Sequence, residues 1–153
     1  MRILVFSDSH GYFPNMKKAI EAQPSAEAVV FLGDGFENFE ACKSLIKDKR
    51  VYMVKGNNDF HCEYPKNQVI TEAGVNLYIT HGHYEYVKSS LGWLLNKSKE
   101  SNCKIALYGH THVQKADYVD ETYIFCPGSL LNGDYGCVDI TEKGIICIGM
   151  KIK

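Results

Sequence analysis

Short apolar runs alternate with helix-like segments along the first third of the chain. Three runs, at residues 3–6, 26–32 and 51–54, have the length and composition of buried strands. The two segments between them, 13–22 and 36–47, carry apolar residues every three or four positions, which predicts helices. A repeated strand–helix–strand order is typical of a parallel sheet covered by helices. This part of the chain therefore predicts an α/β architecture.

The rest of the chain is richer in strand-like segments. Residues 68–72 and 76–80 flank Gly74, which predicts a β-hairpin, and a strand is predicted at 104–108. Between them, apolar residues at helical spacing predict a helix over 85–101. Four further short strands are predicted at 116–119, 122–126, 136–140 and 145–150. No repeat, linker or low-complexity segment interrupts the sequence, so the whole chain is predicted to form one domain.

Polar side chains of the kind that bind metals follow the predicted strands. Asp8 and His10 come directly after the first strand, and residues two apart in an extended segment point to the same side. Asp34 follows the second strand between two glycines, and Asn57 follows the third. In open α/β sheets, ligands bind outside the carboxyl ends of the strands. Taken singly, these residues also fit a helix cap, a turn aspartate and a tight turn.

The distribution of histidines favours the metal-binding interpretation. The six histidines are His10, His61, His81, His83, His110 and His112. All except His61 lie at predicted strand ends beside glycine. A lone histidine is more often structural than a ligand, but five at strand ends, together with the carboxylates and Asn57, are hard to explain structurally. Mixed imidazole, carboxylate and amide ligands suit divalent transition metals.

Composition and charge exclude several classes of function. Hydrophobic residues make up 45% of the 153 residues and charged residues 23%, which is ordinary for a globular protein. The net charge of −1 and the lack of a basic tract argue against a nucleic-acid polymer as partner. No signal-peptide pattern or membrane-spanning stretch is seen. The six cysteines form no C-x-x-C pair and are interpreted as reduced thiols of a cytoplasmic protein, with a disulfide scaffold or structural zinc site as the weaker alternative.

Five motifs, in this order, resemble the signature of the calcineurin-like metallophosphoesterases. They are Asp8-Ser9-His10, Gly33-Asp34, Gly56-Asn57-Asn58-Asp59, His81-Gly82-His83 and Gly109-His110-Thr111-His112. The resemblance covers nearly the whole chain. The short length and the His-Gly-His form of the fourth motif resemble the small bacterial and archaeal phosphodiesterase branch, and the retromer subunit of this fold shares that form. The resemblance implies a four-layer α/β/β/α sandwich.

The same resemblance implies a site with two divalent transition-metal ions, Mn²⁺ before Ni²⁺, Fe or Zn²⁺. Carried over by position, the first ion would be held by Asp8, His10 and His112, and the second by Asn57, His81 and His110. Asp34 would bridge the two ions, and Asp59 would orient its neighbours. Two ions sharing one hydroxide can attack phosphorus and stabilise the leaving oxygen. The expected activity is hydrolysis of small phosphodiesters.

The sequence also departs from the family pattern. Many members carry a histidine where this chain has Asn58, which can donate a hydrogen bond but cannot deliver a proton near neutral pH. His83 is then a candidate for the substitute acid; by the resemblance it would support the ligands or face the substrate. No arginine follows Cys126-Pro127-Gly128-Ser129 closely, so a guanidinium clamp for a dianionic phosphate is not evident. The alternatives are a phosphomonoesterase of the same fold and a non-catalytic interaction protein like the retromer subunit. The sequence does not predict the oligomeric state.

Overall fold

The computed structural model describes residues 1–153 and contains ten β-strands and three α-helices. The first half comprises β1 (Arg2–Phe6), α1 (Phe13–Ala22), β2 (Ala28–Phe31), α2 (Phe36–Cys42), β3 (Arg50–Met53), β4 (Asn67–Glu72) and β5 (Val75–Thr80). The second half comprises α3 (Gly92–Glu100), β6 (Ile105–Leu107), β7 (Lys115–Val119), β8 (Thr122–Cys126), β9 (Asp134–Thr141) and β10 (Gly144–Lys151).

The strands form two five-stranded mixed sheets. The first sheet has the order β10-β9-β1-β2-β3, with β1, β2 and β3 parallel and β9 and β10 antiparallel to their neighbours. The second has the order β4-β5-β6-β8-β7, in which β5, β6 and β8 run parallel. The predicted parallel arrangement of the first three strands is confirmed, and so is the predicted hairpin, which pairs Thr71 with Asn76.

Alternation along the central strands buries both faces of the first sheet. In β1, Ile3 and Val5 face the second sheet, while Leu4 and Phe6 face α1 and α2. A separate apolar cluster that includes Leu94 lies between the second sheet and α3. The layers therefore follow the order helix, sheet, sheet, helix, and the expected α/β/β/α sandwich is confirmed.

A buried carboxylate ties the two sheets together at one edge. Glu72 of β4 accepts a hydrogen bond from Arg50 Nε and another from the Tyr52 hydroxyl, each at 2.8 Å. Both donors belong to β3, so the contact crosses from one sheet to the other. A buried charge is tolerated only when its lone pairs are paired in this way.

Two predicted helices are shorter in the structure. The helix predicted for 36–47 ends at Cys42 and continues as a 3₁₀ turn, Lys43–Leu45. The helix predicted for 85–101 begins only at Gly92, so that prediction was wrong for its first two turns. The reason is that the side chain of Glu85 is buried and that Tyr86 adopts a left-handed backbone with φ of 53°.

The Glu85 carboxylate accepts hydrogen bonds from the Tyr78 and Thr80 hydroxyls of β5, both at 2.9 Å. Burial raises the pKa of Tyr78 above its usual range, and the charge of Glu85 and its hydrogen bond add to that effect. The phenol therefore stays protonated as a donor. Tertiary hydrogen bonding has overridden the helical periodicity in this segment.

All six cysteines are free thiols, and five of them are buried. Burial raises the pKa of Cys42 and Cys137 to about 11, which makes these thiols poor nucleophiles at neutral pH. None of the three helices has the length and apolarity needed to cross a membrane.

We expect Glu85→Ala to lower the free energy of unfolding by about 2–4 kcal/mol, because two buried hydroxyls lose their acceptor. Urea denaturation measures the change. Glu100→Ala is the matched control: its side chain is 66% exposed, and its loss should change stability by less than about 0.5 kcal/mol. Equal, small changes in both variants would contradict a structural role for Glu85.

Candidate metal centre

The five motifs meet where the carboxyl ends of strands from both sheets come together. Within the first sheet, the Asp8 amide donates to the Gly33 carbonyl at 2.9 Å and the His10 amide donates to the Asp34 carbonyl at 3.0 Å. Within the second sheet, the Gly109 amide donates to the His81 carbonyl at 3.0 Å. The ladder pairing of parallel strands thus continues into their loops and aligns the ligand-type residues.

Asp8, His10 and His112 form the first group that could hold a metal ion. The Oδ1 atom of Asp8 lies 3.0 Å from His112 Nε2 and 3.6 Å from His10 Nε2, and the two Nε2 atoms are 3.1 Å apart. The carboxylate is fully buried, whereas both imidazoles reach solvent. One buried anion therefore faces two accessible nitrogen ligands.

Asp8, Asp34 and His81 form a second, fully buried group. His81 Nδ1 lies 2.7 Å from the Leu32 carbonyl oxygen, and because a carbonyl only accepts, Nδ1 carries the proton. The other ring nitrogen, Nε2, lies 3.5 Å from Asp34 Oδ2 and 3.0 Å from Asn57 Oδ1. In the neutral ring it faces these oxygens with a lone pair, and in the imidazolium it donates to them. Acceptor atoms that face one another in this way fit a cation between them.

The raised pKa of His81 also indicates that a positive charge is favoured at this position. Burial opposes the charged imidazolium, but the hydrogen bond to Asp34 and the charges of Asp8 and Asp34 raise the pKa of His81 above its usual value. A proton thus satisfies the buried carboxylates when no other cation is present.

Asn58 holds Asp34 in place. Its backbone amide donates to Asp34 Oδ1 at 2.8 Å and its side-chain Nδ2 donates to Oδ2 at 2.7 Å. Burial alone would raise the pKa of Asp34, but the hydrogen bonds from His81 and Asn58 outweigh it, so the carboxylate stays ionised. In this structure, then, the predicted substrate-facing amide is bound to a predicted ligand.

Asp59 joins the loops that follow β2 and β3. Its carboxylate accepts four backbone N–H groups, those of Asp34, Gly35, Phe36 and Gly56, at distances between 2.7 and 3.0 Å. Four charge-assisted hydrogen bonds fix both loops at once. This geometry fits the orienting role that the sequence predicted for Asp59.

His110, His83 and Asn57 lie beside the two ligand groups and outside them. The His110 ring centroid is 5.0 Å from that of His81 and 5.1 Å from that of His83. Burial, together with the charges of His81, Lys88 and His83, lowers the pKa of His110 to about 4. A neutral imidazole with a free lone pair is the form that binds a metal. His83 and Asn57 are exposed at the rim.

The backbone conformation at this centre could not be predicted from the sequence. Five of the seven predicted ligands have left-handed backbones, with φ between 44° and 66°: Asp8, His10, Asp34, His110 and His112. Such angles cost energy in residues other than glycine and concentrate at functional sites. Each of these residues turns its strand end sharply, which brings its side chain back over the edge of the sheet.

Sequence reasoning also missed the residues that support Asp8. The Ser7 hydroxyl donates to Asp8 Oδ2, the His110 amide donates to the same oxygen at 3.0 Å, and the Ser129 hydroxyl donates to the Asp8 carbonyl at 2.9 Å. Gly109 is needed here because a Cβ atom would collide with Ser7 Oγ. The late Pro-Gly-Ser sequence was the only hint of this support.

A cleft of about 420 Å³ opens beside the centre on the side of His10, Asp34 and Asn58. Its lining also includes Phe36 and Glu37 of α2 and Phe60 of the loop that follows β3. A cleft of this volume has room for a small organic group beside the centre.

Comparisons with known proteins agree with this geometry. The family model described as the calcineurin-like phosphoesterase superfamily domain matches residues 1–142. The Escherichia coli K12 phosphodiesterase YfcE is 29% identical, with 97% of this chain and 92% of that protein covered. A Streptococcus pneumoniae crystal structure, described as a predicted phosphoesterase, superposes with a TM-score of 0.81 at 26% identity, covering 98% of this chain and 88% of the other.

The fold is shared more widely. Vps29 from Entamoeba histolytica superposes with a TM-score of 0.75 over the full length of both chains, at 18% identity, a level that shows a common fold only. The family model spans nearly the whole chain and includes all the ligand-type residues described above. The chain therefore belongs to the calcineurin-like phosphoesterase superfamily, a family of metal-dependent hydrolases of phosphoesters.

Proposed function

We propose that this protein is a dinuclear-metal phosphodiesterase that hydrolyses small phosphodiesters. The observation that carries the proposal is the pair of overlapping ligand groups, Asp8–His10–His112 and Asp8–Asp34–His81, which share one buried carboxylate. Two groups that meet in this way can hold two cations side by side. The E. coli relative YfcE is a phosphodiesterase by name, which supports the same reaction class.

The donor chemistry fits divalent transition metals, with Mn²⁺ preferred over Ni²⁺, Fe and Zn²⁺. Asp8, His10 and His112 would hold one ion, and Asn57, His81 and His110 the other. When bound, the ions would supply Lewis-acid stabilisation at phosphorus and lower the pKa of the attacking water.

Asp34 is the bridge that the family resemblance implies. In the structure Asp8 Oδ1 is the atom common to both groups, and both oxygens of Asp34 accept hydrogen bonds from Asn58. Each carboxylate oxygen has a second lone pair, so Asp34 can keep these hydrogen bonds and still face His81. We therefore assign Asp34 as the bridge, with Asp8 as the carboxylate shared by the two ligand groups.

The charges around the centre favour a diester over a monoester. The chain has only two arginines, and both are in ion pairs away from the centre: Arg2 with Asp139 at 2.7 Å and Arg50 with Glu72 at 2.8 Å. A dianionic monoester is usually recognised by a free guanidinium, and none is present to bind it. A monoanionic diester carries less negative charge and needs less positive charge from the protein in order to bind.

Protonation of the leaving group is the weakest part of this chemistry. Asn58 directs its amide to Asp34 and has no proton to transfer. Two imidazoles outside the ligand set lie near the substrate side: His83, which is exposed beside His110, and His61, which lines the cleft next to Asn58. The chain's own residues therefore bind and orient the ester, and the leaving oxygen departs with little assistance.

A non-catalytic role is the second candidate. The likeness to Vps29 over the full chain favours it, since that protein shares the fold. The two candidates differ in metal-reconstituted activity, which we would measure on phosphodiesters and phosphomonoesters side by side. Turnover of monoesters in preference to diesters would instead support the phosphomonoesterase alternative.

We expect two transition-metal ions per chain after loading with Mn²⁺, because the ligand groups overlap at Asp8. Elemental analysis gives the stoichiometry, and anomalous scattering from crystals gives the positions. A single ion, or ions bound away from Asp34, would contradict the dinuclear proposal.

We expect Asp34→Ala to lower turnover and metal content more than His112→Ala does, because Asp34 would contact both ions and His112 only one. Loss of even an outer partner of a metal ligand costs about 10–100-fold in affinity, so loss of the bridge should exceed about 100-fold. Asp48→Ala, whose side chain is 73% exposed on the surface, is the control. Near-normal metal content in Asp34→Ala would show that the assigned roles are wrong.

We expect the rate to fall steeply as the leaving-group pKa rises, with aryl phosphodiesters cleaved far faster than alkyl ones. The reason is that Asn58 cannot act as a general acid, a contribution typically worth about 10²–10⁴-fold. Asn58→His should flatten the dependence. A flat profile in the wild-type enzyme, with chemistry rate-limiting, would point to another acid, and His83→Ala would then show whether it is His83.

A further inference from the structure

The segment that follows β5 is built to present three side chains to solvent. Glu85 and Val87 are only 4% and 6% exposed and anchor the segment on the second sheet. The residues between and beside them therefore point outward: Tyr84 is 55% exposed, Tyr86 is 64% exposed, and Lys88 is also exposed. The alternation follows from the two buried anchors.

The two tyrosines are held in place by their surroundings. Lys66 Nζ lies 4.0 Å from the centroid of the Tyr84 ring, and the His83 ring packs edge-on against the same ring at 5.3 Å. Tyr86 has a left-handed backbone, and its carbonyl accepts the Ser89 amide at 2.8 Å. An exposed aromatic side chain on a strained, hydrogen-bonded turn is typical of functional surfaces.

These side chains line a second cleft, of about 300 Å³, which we call the tyrosine cleft. Its lining consists of His83, Tyr84, Tyr86, Lys88, Ser89 and His110. His110 is a candidate metal ligand, so the cleft opens directly onto the metal centre. No carboxylate lines the tyrosine cleft, whereas the cleft of about 420 Å³ on the other side of the centre is lined by Asp34, Glu37 and Asp59. The two clefts thus differ in charge.

We propose that the tyrosine cleft is a substrate subsite that binds an aromatic, negatively charged substituent of the phosphodiester. The proposal rests on the proposed phosphodiesterase function. It adds the chemical class of the substituent, or arm, that stays on the phosphate after hydrolysis. Tyr84 and Tyr86 supply ring faces, and Lys88 supplies the cation.

The chemistry of the lining selects this class of ligand. A flat ring can pack against an exposed aromatic side chain in an offset-stacked or edge-to-face arrangement, which adds to the apolar area it buries. Lys88 carries a point charge on a flexible stem, which suits a carboxylate or phosphate at the far end of such a ring. The acidic lining of the other cleft would repel the same group. A diester with one anionic aromatic arm is therefore oriented by charge.

Three diesters that share a leaving group test the subsite: methyl, benzyl and 4-carboxybenzyl 4-nitrophenyl phosphate. In each, water adds to phosphorus and the same P–O bond breaks to release 4-nitrophenolate, so differences in kcat/KM report the retained arm. We expect kcat/KM to rise from methyl to benzyl to 4-carboxybenzyl.

Two variants test which residue causes each of these two increases in kcat/KM. Tyr86→Ala should lower the benzyl-to-methyl ratio of kcat/KM about tenfold. Lys88→Ala should lower the 4-carboxybenzyl-to-benzyl ratio about threefold, and high salt should abolish that difference. Tyr118→Ala, which removes a tyrosine that is 61% exposed on β7, and Lys47→Ala are the controls and should keep both ratios.

A binding measurement separates the subsite from the reaction. Calorimetric titration with 4-carboxybenzyl phosphate should show weaker binding to Tyr86→Ala than to wild type. Equal affinity, or ratios of kcat/KM that are unchanged in both cleft variants, would overturn the subsite. If no diester is hydrolysed but Tyr86→Ala still weakens binding, the phosphodiesterase proposal fails and the subsite stands.

Discussion

The centre depends on keeping one carboxylate, that of Asp8, charged and fully buried between two sheets. Burying an ionised group is costly unless it is paired and hydrogen-bonded. The Ser7 hydroxyl and the His110 amide satisfy one oxygen, and the other faces His112 at 3.0 Å. Because His110 and His112 come from the second sheet, the two sheets must meet at this point for the charge to be tolerated.

Most of the fold could be predicted from the sequence because its elements follow local patterns, whereas the part that was predicted wrongly depends on a contact distant from the helix pattern. The strand–helix order, the hairpin around Gly74 and the polar strand ends are all local patterns, and they place the motifs correctly. The segment after β5 failed because its apolar spacing is helical, while Glu85 finds two hydroxyls in β5. A partner of that kind becomes visible only when the sheet has formed.

The residue types at the candidate centre could be predicted from the sequence, but their spatial arrangement could not. Motif order identified the members of the two ligand groups, since each motif lies at a strand end: Asp8, His10, Asp34, His81 and His112. Sequence could not show that Asp8 belongs to both ligand groups, or that Asn58 donates to Asp34 at 2.7 Å. Nor could it show the left-handed backbones, because Asp and His tolerate such angles without requiring them. Those features depend on how five loops pack against one another.

Strain and charge at the centre are offset by rigid contacts around it. Asp59 holds two loops through four backbone amides, and Ser129 fixes the Asp8 carbonyl at 2.9 Å. Neither residue has to contact a metal or a substrate to matter, because a ligand displaced by about 1 Å loses much of its value. The ligand-type side chains are therefore positioned by contacts within the chain itself, and the two clefts that flank them differ in the charge of their lining.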